Sequence, residues 1–289
     1  MRKLLSIAAI AACALAGSAM AQALPAAPPP LPQWVAPEPG QPVESQPREN
    51  ARATPAFPGQ TRGPYEPTHV AYEVQTYAQD LERPWGLAFL PDGRLLVTER
   101  QGRLRIIAKD GTVSPPVAGL PSVDGRVGGG LLDVAVDPDF TTNHLIYWIY
   151  AEPRGDGSGA SVARARLVTD GPAHVERVQI IFRMMPTVDS VRSFGARLAF
   201  GRGKTLFVTL GDRDFDPFRP LVQRLDTDIG KVVRINRDGT IPKDNPYLHV
   251  KGARPELWAV GVRNALAPRS TRPPASSGKT RTARAAAMS

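Results

Sequence analysis

The stretch from Trp85 to Arg100, WGLAFLPDGRLLVTER, reads as a strand, a Pro-Asp-Gly turn and a second strand; a further apolar run, Leu104 to Ala108, precedes an Asp110-Gly111 turn. Moved along the chain by 111 positions, Leu87-Ala88-Phe89 falls on Leu198-Ala199-Phe200 and Leu95-Leu96-Val97-Thr98 falls on Leu206-Phe207-Val208-Thr209, without a gap. A third copy, Val134-Ala135-Val136 followed by Leu145-Ile146-Tyr147, lies 47 residues after the first and 64 before the last. Units of several strands recurring every ~45 to 60 residues are what a β-propeller produces. From Ala71 onward short apolar runs alternate with Gly, Asp and Pro, and no stretch has a helical period, so the fold class is all-β.

The flanks are different. Residues 1–21, MRKLLSIAAIAACALAGSAMA, combine a basic start, a short apolar run and a small-x-small site at Ala19-Met20-Ala21. They read as a signal peptide cleaved after Ala21, which places the mature chain in the periplasm or outside the cell. The apolar run is too short for a membrane span. The single cysteine, Cys13, lies inside it, so the mature chain is expected to have no thiol or disulfide. Ile10-Ala11-Ala12-Cys13 has a loose likeness to a lipoprotein box, but the apolar run continues past Cys13. Residues 22–69 form a Pro-rich linker. Thirteen prolines between Gln22 and Pro67 favour extended chain that builds no core of its own.

The net charge of +9 does not mark a nucleic-acid binder. Arg2 and Lys3 carry two of the charges and Arg269, Arg272, Lys279, Arg281 and Arg284 carry five, which leaves +2 for the body between Gln22 and Asn264. A near-neutral body has no electrostatic footprint for phosphates. The four histidines, His69, His144, His174 and His249, sit at linker, turn, loop and apolar-flanked positions. None pairs with another at metal-ligand spacing, so no metal site is assigned to them.

Six runs in order, WGLAFLPDGRLLVTER, GGLLDVAVDPDF (129–140), FGARLAF (194–200), LFVTLGDR (206–213), IGKVVRINRDGTIPKDNP (229–246) and ARPELWAVGVRN (253–264), together resemble the soluble PQQ-dependent sugar dehydrogenases, the glucose/sorbosone dehydrogenase family of six-bladed propellers. The resemblance covers about Tyr72 to Asn264. It implies an exported quinoprotein that oxidises the C1 hydroxyl of an aldose to a lactone, with PQQ and Ca²⁺ as cofactors and an external electron acceptor. It also implies cofactor binding by Arg263, Asn264, Arg192 and Asp212. For Asp212 the residues themselves favour a turn cap over chemistry, and for Arg263 a structural arginine at a strand end is the lesser reading.

The departures bear on the chemistry. Where the family carries a catalytic histidine before Phe-Gly, this chain has Ser193 in Arg192-Ser193-Phe194-Gly195. A serine hydroxyl is no base near neutral pH, and the loss of a general base costs ~10² to 10⁴ in rate. Gly128 stands at a pocket glutamine position, and Asp228 and Val262 stand where the family has histidines.

Beyond Asn264 the sequence ALAPRSTRPPASSGKTRTARAAAMS has no acid and no aromatic residue and reads as a disordered basic tail, 265–289. Ala267 to Thr280 can be back-translated so that the neighbouring frame encodes Ile-His-Pro-Pro-Thr-Gly-Lys-Leu-Trp-Glu, the segment expected after the family's Arg-Asn. The tail therefore reads as out of frame, and residues 70–264 as a partial propeller with room for about four units of ~45 to 50 residues. On this reading no ligands for Ca²⁺ are present, PQQ-dependent aldose oxidation is impaired, and Ser193→His alone does not restore it. Two other readings stand beside it: a non-catalytic exported propeller that binds a sugar or a protein partner, and a lactonase-type propeller that uses carboxylates on Ca²⁺.

Overall fold

The hairpin expected at Trp85 to Arg100 is present as β1 (Pro84–Phe89) and β2 (Leu95–Glu99), and β3 (Arg103–Ile107) completes a three-stranded antiparallel sheet. A second sheet runs in order through β4 (Leu131–Val136), β5 (Leu145–Arg154), β6 (Gly157–Val168) and β7 (His174–Arg183). A third contains β8 (Gly195–Phe200), β9 (Leu206–Leu210), β10 (Lys231–Ile235) and β11 (Leu257–Val260). The computed structural model describes residues 35–45, 47, 54–55, 57–67, 70–214 and 216–266. The segment expected to be a signal peptide, Cys13 within it, His69 and the tail from 267 onward lie outside the described residues.

The repeat seen in the sequence has a backbone counterpart. In each sheet the first strand is interrupted by a bulge before the hairpin settles into register, at Pro84/Leu87, Leu131/Val134 and Gly195/Leu198. The first regular pairs, Leu87↔Val97, Val134↔Trp148 and Leu198↔Val208, are spaced as the sequence copies are. A bulge bends and twists a strand locally, and here it turns the first strands toward one another, β1 against β4 and β4 against β8. Gly86 lies in the first bulge. A Cβ there would come within 2.8–2.9 Å of the Asp133 carboxylate, the Asp133 Cα and the Leu132 carbonyl, so only glycine lets β4 approach this closely.

The second sheet is covered on both faces, and its sequence shows it. Along β5, Ile146, Trp148 and Tyr150 enter the core shared with the first sheet, while Tyr147, Ile149 and Ala151 enter the core shared with the third. A strand buried on both faces reads as an unbroken apolar run instead of an alternation, which is what Leu145-Ile146-Tyr147-Trp148-Ile149-Tyr150-Ala151 does. On the outer sheets large apolar side chains reach solvent: Leu87 and Phe89 are 58% and 69% exposed and Trp258 is 38% exposed.

The described residues form three sheets, where the length of the body led to an expectation of about four units. The division by ~45 to 50 residues fails because β5, β6 and β7 are 10, 12 and 10 residues long, twice the length of the strands in the first sheet. The chain divides into two units, 1–73 and 74–289, close to the sequence boundary at 70. Within the first unit the Pro-rich segment is not wholly extended: Pro42 and Pro64 form an antiparallel bridge, and Tyr65 N–H donates to the Gln41 carbonyl at 2.7 Å. Proline tolerates such a bridge because the bonds run between the flanking residues, the second being Val43 N–H to Gly63 O at 3.0 Å, and no proline N–H is needed. Among the described residues no helix is long and apolar enough to cross a membrane.

Candidate functional site

Five residues singled out by the sequence, Arg192, Ser193, Asp212, Arg263 and Asn264, come together at the end of the third sheet where β8 begins and β9 ends. The segment before β8 and the segment after β9 are held by direct backbone bonds: Gly211 N–H donates to Phe194 O at 2.9 Å and Arg213 N–H to Ser193 O at 3.2 Å. A Cβ on Gly211 would lie 1.9 Å from the Ser193 carbonyl, so this closure requires glycine. The backbone here is strained. Ser193, Ala196, Arg213 and Asp214 all have positive φ, at 45°, 67°, 65° and 44°, a conformation that costs L-residues of order 1–3 kcal/mol each and clusters at functional sites.

Ser193 is half-buried, and its carbonyl accepts the N–H of Arg213. Arg192 is 67% exposed at its side chain and sits 3.6 Å from Asp214. Asp212 is buried, and its Oδ1 accepts the N–H of Asp214 at 2.9 Å, so the contact the structure gives it is the turn cap. Its neighbour Arg213 is fully buried, 3.5 Å over the Phe194 ring, and donates to the carbonyls of Arg192, Ser158 and Ser190. Burial brings its guanidinium down to about 10. Arg213 thus fixes the 190–194 loop to β6 and does not face solvent.

Arg263 and Asn264 are exposed, on a segment laid along the third sheet. Asp212 N–H donates to the Arg263 carbonyl at 2.7 Å, and Asn264 Oδ1 accepts the N–H of Gly195 at 2.9 Å. Among the described residues the Arg263 guanidinium has no acidic or carbonyl partner. Ala265 and Leu266, grouped by composition with the coil tail, are docked: their carbonyls accept from Thr209 Oγ1 at 2.8 Å and Arg197 Nε at 2.7 Å. Carbonyls are common to every residue, which is why composition cannot report this.

The remaining sequence candidates fall elsewhere. Gly128 donates its N–H to Val191 O at 2.7 Å, beside the Ser193 loop. Asp228 is buried between Arg254 Nε at 2.8 Å and the N–H of Met185 at 2.8 Å; burial, and then the charge of Glu256, push its carboxyl up to about 7. His144 ends a helical turn at φ 55° with its ring edge-on to Phe140, His174 lies on β7 near Glu176, and His249 is exposed. The sequence reading missed Arg126, held by Asp124 through two bonds of 2.9 and 2.8 Å, which lowers the Asp124 carboxyl and places a 54% exposed guanidinium at the same end. An Asp-x-Arg pair in a loop rich in glycine was the available signal.

Residues 81–272 match the Glucose / Sorbosone dehydrogenase family. The chain belongs to that family. It is 40% identical over 193 residues to aldose sugar dehydrogenase YliI of Escherichia coli K12, covering 66% of this chain and 51% of that protein. Among solved structures it is similar to a glucose dehydrogenase at 44% identity and TM-score 0.60, covering 64% of this chain and 57% of that one. It is also similar to the PQQ-bound aldose sugar dehydrogenase of Streptomyces coelicolor, at 28% identity and TM-score 0.57, with 66% of this chain and 54% of that one covered. The chain spans about half the length of the curated relatives it matches.

Proposed function

We propose that this chain carries part of the quinone site of a PQQ-dependent aldose dehydrogenase, exported to the periplasm, and that Ser193 leaves it without the base such a site needs. The three sheets are read as part of a six-bladed propeller with β1, β4 and β8 nearest the axis; the shared bulge positions and the contacts between these strands support this. The observation that carries the functional reading is Arg263: an exposed guanidinium with no described partner, next to an asparagine whose carboxamide is fixed by Gly195 N–H.

This donor set fits a planar quinone bearing several carboxylates. A guanidinium offers paired N–H donors to a carboxylate or quinone oxygen, and the exposed guanidiniums of Arg192 and Arg126, paired with Asp214 and Asp124, add further N–H donors at the same end. PQQ, when bound, supplies the two-electron sink for the hydride leaving the sugar C1. The protein's part is to hold the cofactor through Arg263 and Asn264 and to take the C1 hydroxyl proton as the lactone forms. Ser193 does not perform that last task, because its hydroxyl is already protonated at neutral pH and no described imidazole or carboxylate lies against it. Among the described residues no three His, Cys, Asp or Glu side chains converge, so no residue is assigned to Ca²⁺.

The test is dye-linked glucose oxidation with added PQQ and Ca²⁺, run beside the E. coli aldose sugar dehydrogenase. The reading expects turnover at least a hundredfold below the relative. A rate matching the relative would overturn the role given to position 193.

A further inference from the structure

Four consecutive residues at the end of the described chain are each tied to the third sheet by a different group. The Arg263 carbonyl accepts from Asp212 N–H at 2.7 Å, Asn264 Oδ1 from Gly195 N–H at 2.9 Å, the Ala265 carbonyl from Thr209 Oγ1 at 2.8 Å and the Leu266 carbonyl from Arg197 Nε at 2.7 Å. The segment has no ladder of its own. Two of its four ties are side-chain donors, and the hydroxyl is the more buried of them, Thr209 being 3% exposed.

The hydroxyl arrangement occurs twice in the molecule. Thr209 Oγ1 accepts the N–H of Arg197 at 3.0 Å inside the β8 bulge while it donates to Ala265 O. Thr98, its counterpart 111 residues earlier, accepts the N–H of Gly86 at 2.9 Å inside the β1 bulge and donates to Leu132 O on β4. In both sheets one hydroxyl fills the gap left by the bulge and donates to a carbonyl outside its own sheet, Leu132 on β4 in the first case and Ala265 in the second. Ala265 therefore stands to the third sheet as Leu132 on β4 stands to the first.

We propose that Thr209 is a positioning residue for Arg263 and Asn264: its hydroxyl fixes the height of the 263–266 segment on the third sheet, and so the place from which the Arg263 guanidinium and the Asn264 carboxamide are presented. Its significance for catalysis rests on the quinone reading above; the docking itself does not. Removing the donor at Ala265 loosens the segment one residue from Asn264, leaving the Asp212 tie at Arg263, the Gly195 tie on a rotatable carboxamide and the Arg197 tie at Leu266.

The experiment compares Thr209→Val, Thr209→Ser and Thr98→Val with the unchanged chain by limited trypsin digestion followed by mass spectrometry, scoring the Arg263–Asn264 bond. Thr209→Val is expected to speed cleavage at that bond about fivefold or more, Thr209→Ser to leave it unchanged by restoring the hydroxyl, and Thr98→Val to lower thermal stability by a similar amount without selective cleavage there. PQQ affinity, followed by tryptophan fluorescence, is expected to weaken in Thr209→Val alone. Equal cleavage at Arg263 in Thr209→Val and Thr98→Val would overturn the proposal, since both would then act only through global stability. Faster cleavage in Thr209→Val with no PQQ binding by the unchanged chain would uphold the positioning role and defeat the quinone reading.

Discussion

Asp133 on β4 accepts Arg197 Nη1 at 3.0 Å, and its second oxygen accepts the N–H of Leu198 at 2.8 Å, so one carboxylate ties the second sheet to the β8 bulge. The carboxylate is almost wholly buried, and burial, its largest influence, raises its carboxyl above the usual range against the pull of Leu198 N–H and Arg197. Arg197 in turn stacks 4.6 Å from the Trp85 ring on β1, so the three first strands meet at this pair. Replacing Asp133 by alanine strands a buried N–H and leaves the guanidinium without its acid. The expected cost is about 2–4 kcal/mol in denaturant unfolding; a loss under about 1 kcal/mol would show that the pair does not hold the sheets together.

Gly86→Ala tests the same junction by crowding. The added Cβ meets the Asp133 Cα and the Leu132 carbonyl within 2.9 Å, and backbone atoms cannot swing away as a side-chain end can. Destabilisation of about 1–3 kcal/mol is expected, with β1 and β4 losing amide-exchange protection first.

How much of this was legible in the sequence depended on which atoms do the work. The repeat spacing of 47 and 64 residues located the three hairpins, because the apolar pleat and the turn residues are themselves the cause of the register; the bulges were not read. Arg192, Ser193, Asp212, Arg263 and Asn264 lie together in the structure, since motif order fixes strand ends. What stayed hidden was work done by backbone atoms and by threonine hydroxyls: the docking of Ala265 and Leu266, and the repeated role of Thr98 and Thr209. A Val-Thr ending to a strand looks like ordinary β-propensity until the bulge opposite it is seen. The sheet count was overestimated because strand length, which the buried runs Leu145 to Ala151 and Ser161 to Leu167 concealed, is not constant from sheet to sheet.

Asp228 makes stability depend on pH. With its carboxyl pushed up to about 7 from an ordinary 3.8, the folded chain keeps a proton that the unfolded chain gives up over that interval. Its stabilising contribution is therefore complete below about 3.8 and is lost as pH rises toward 7. Between pH 5 and 7.5 the melting temperature of the unchanged chain is expected to fall more steeply than that of Asp228→Asn, which carries no titrating group. Parallel curves for the two proteins would mean that Asp228 is ionised throughout, paired with Arg254.

The most direct test of the site is an equilibrium titration of the chain with PQQ, followed by tryptophan fluorescence, beside Arg263→Ala. The account predicts saturable binding by the unchanged chain and affinity about tenfold or more weaker for the variant, with the same melting temperature for both, because the Arg263 side chain has no described partner whose loss would unfold anything. Identical affinities, or no saturable binding by the unchanged chain, would contradict it.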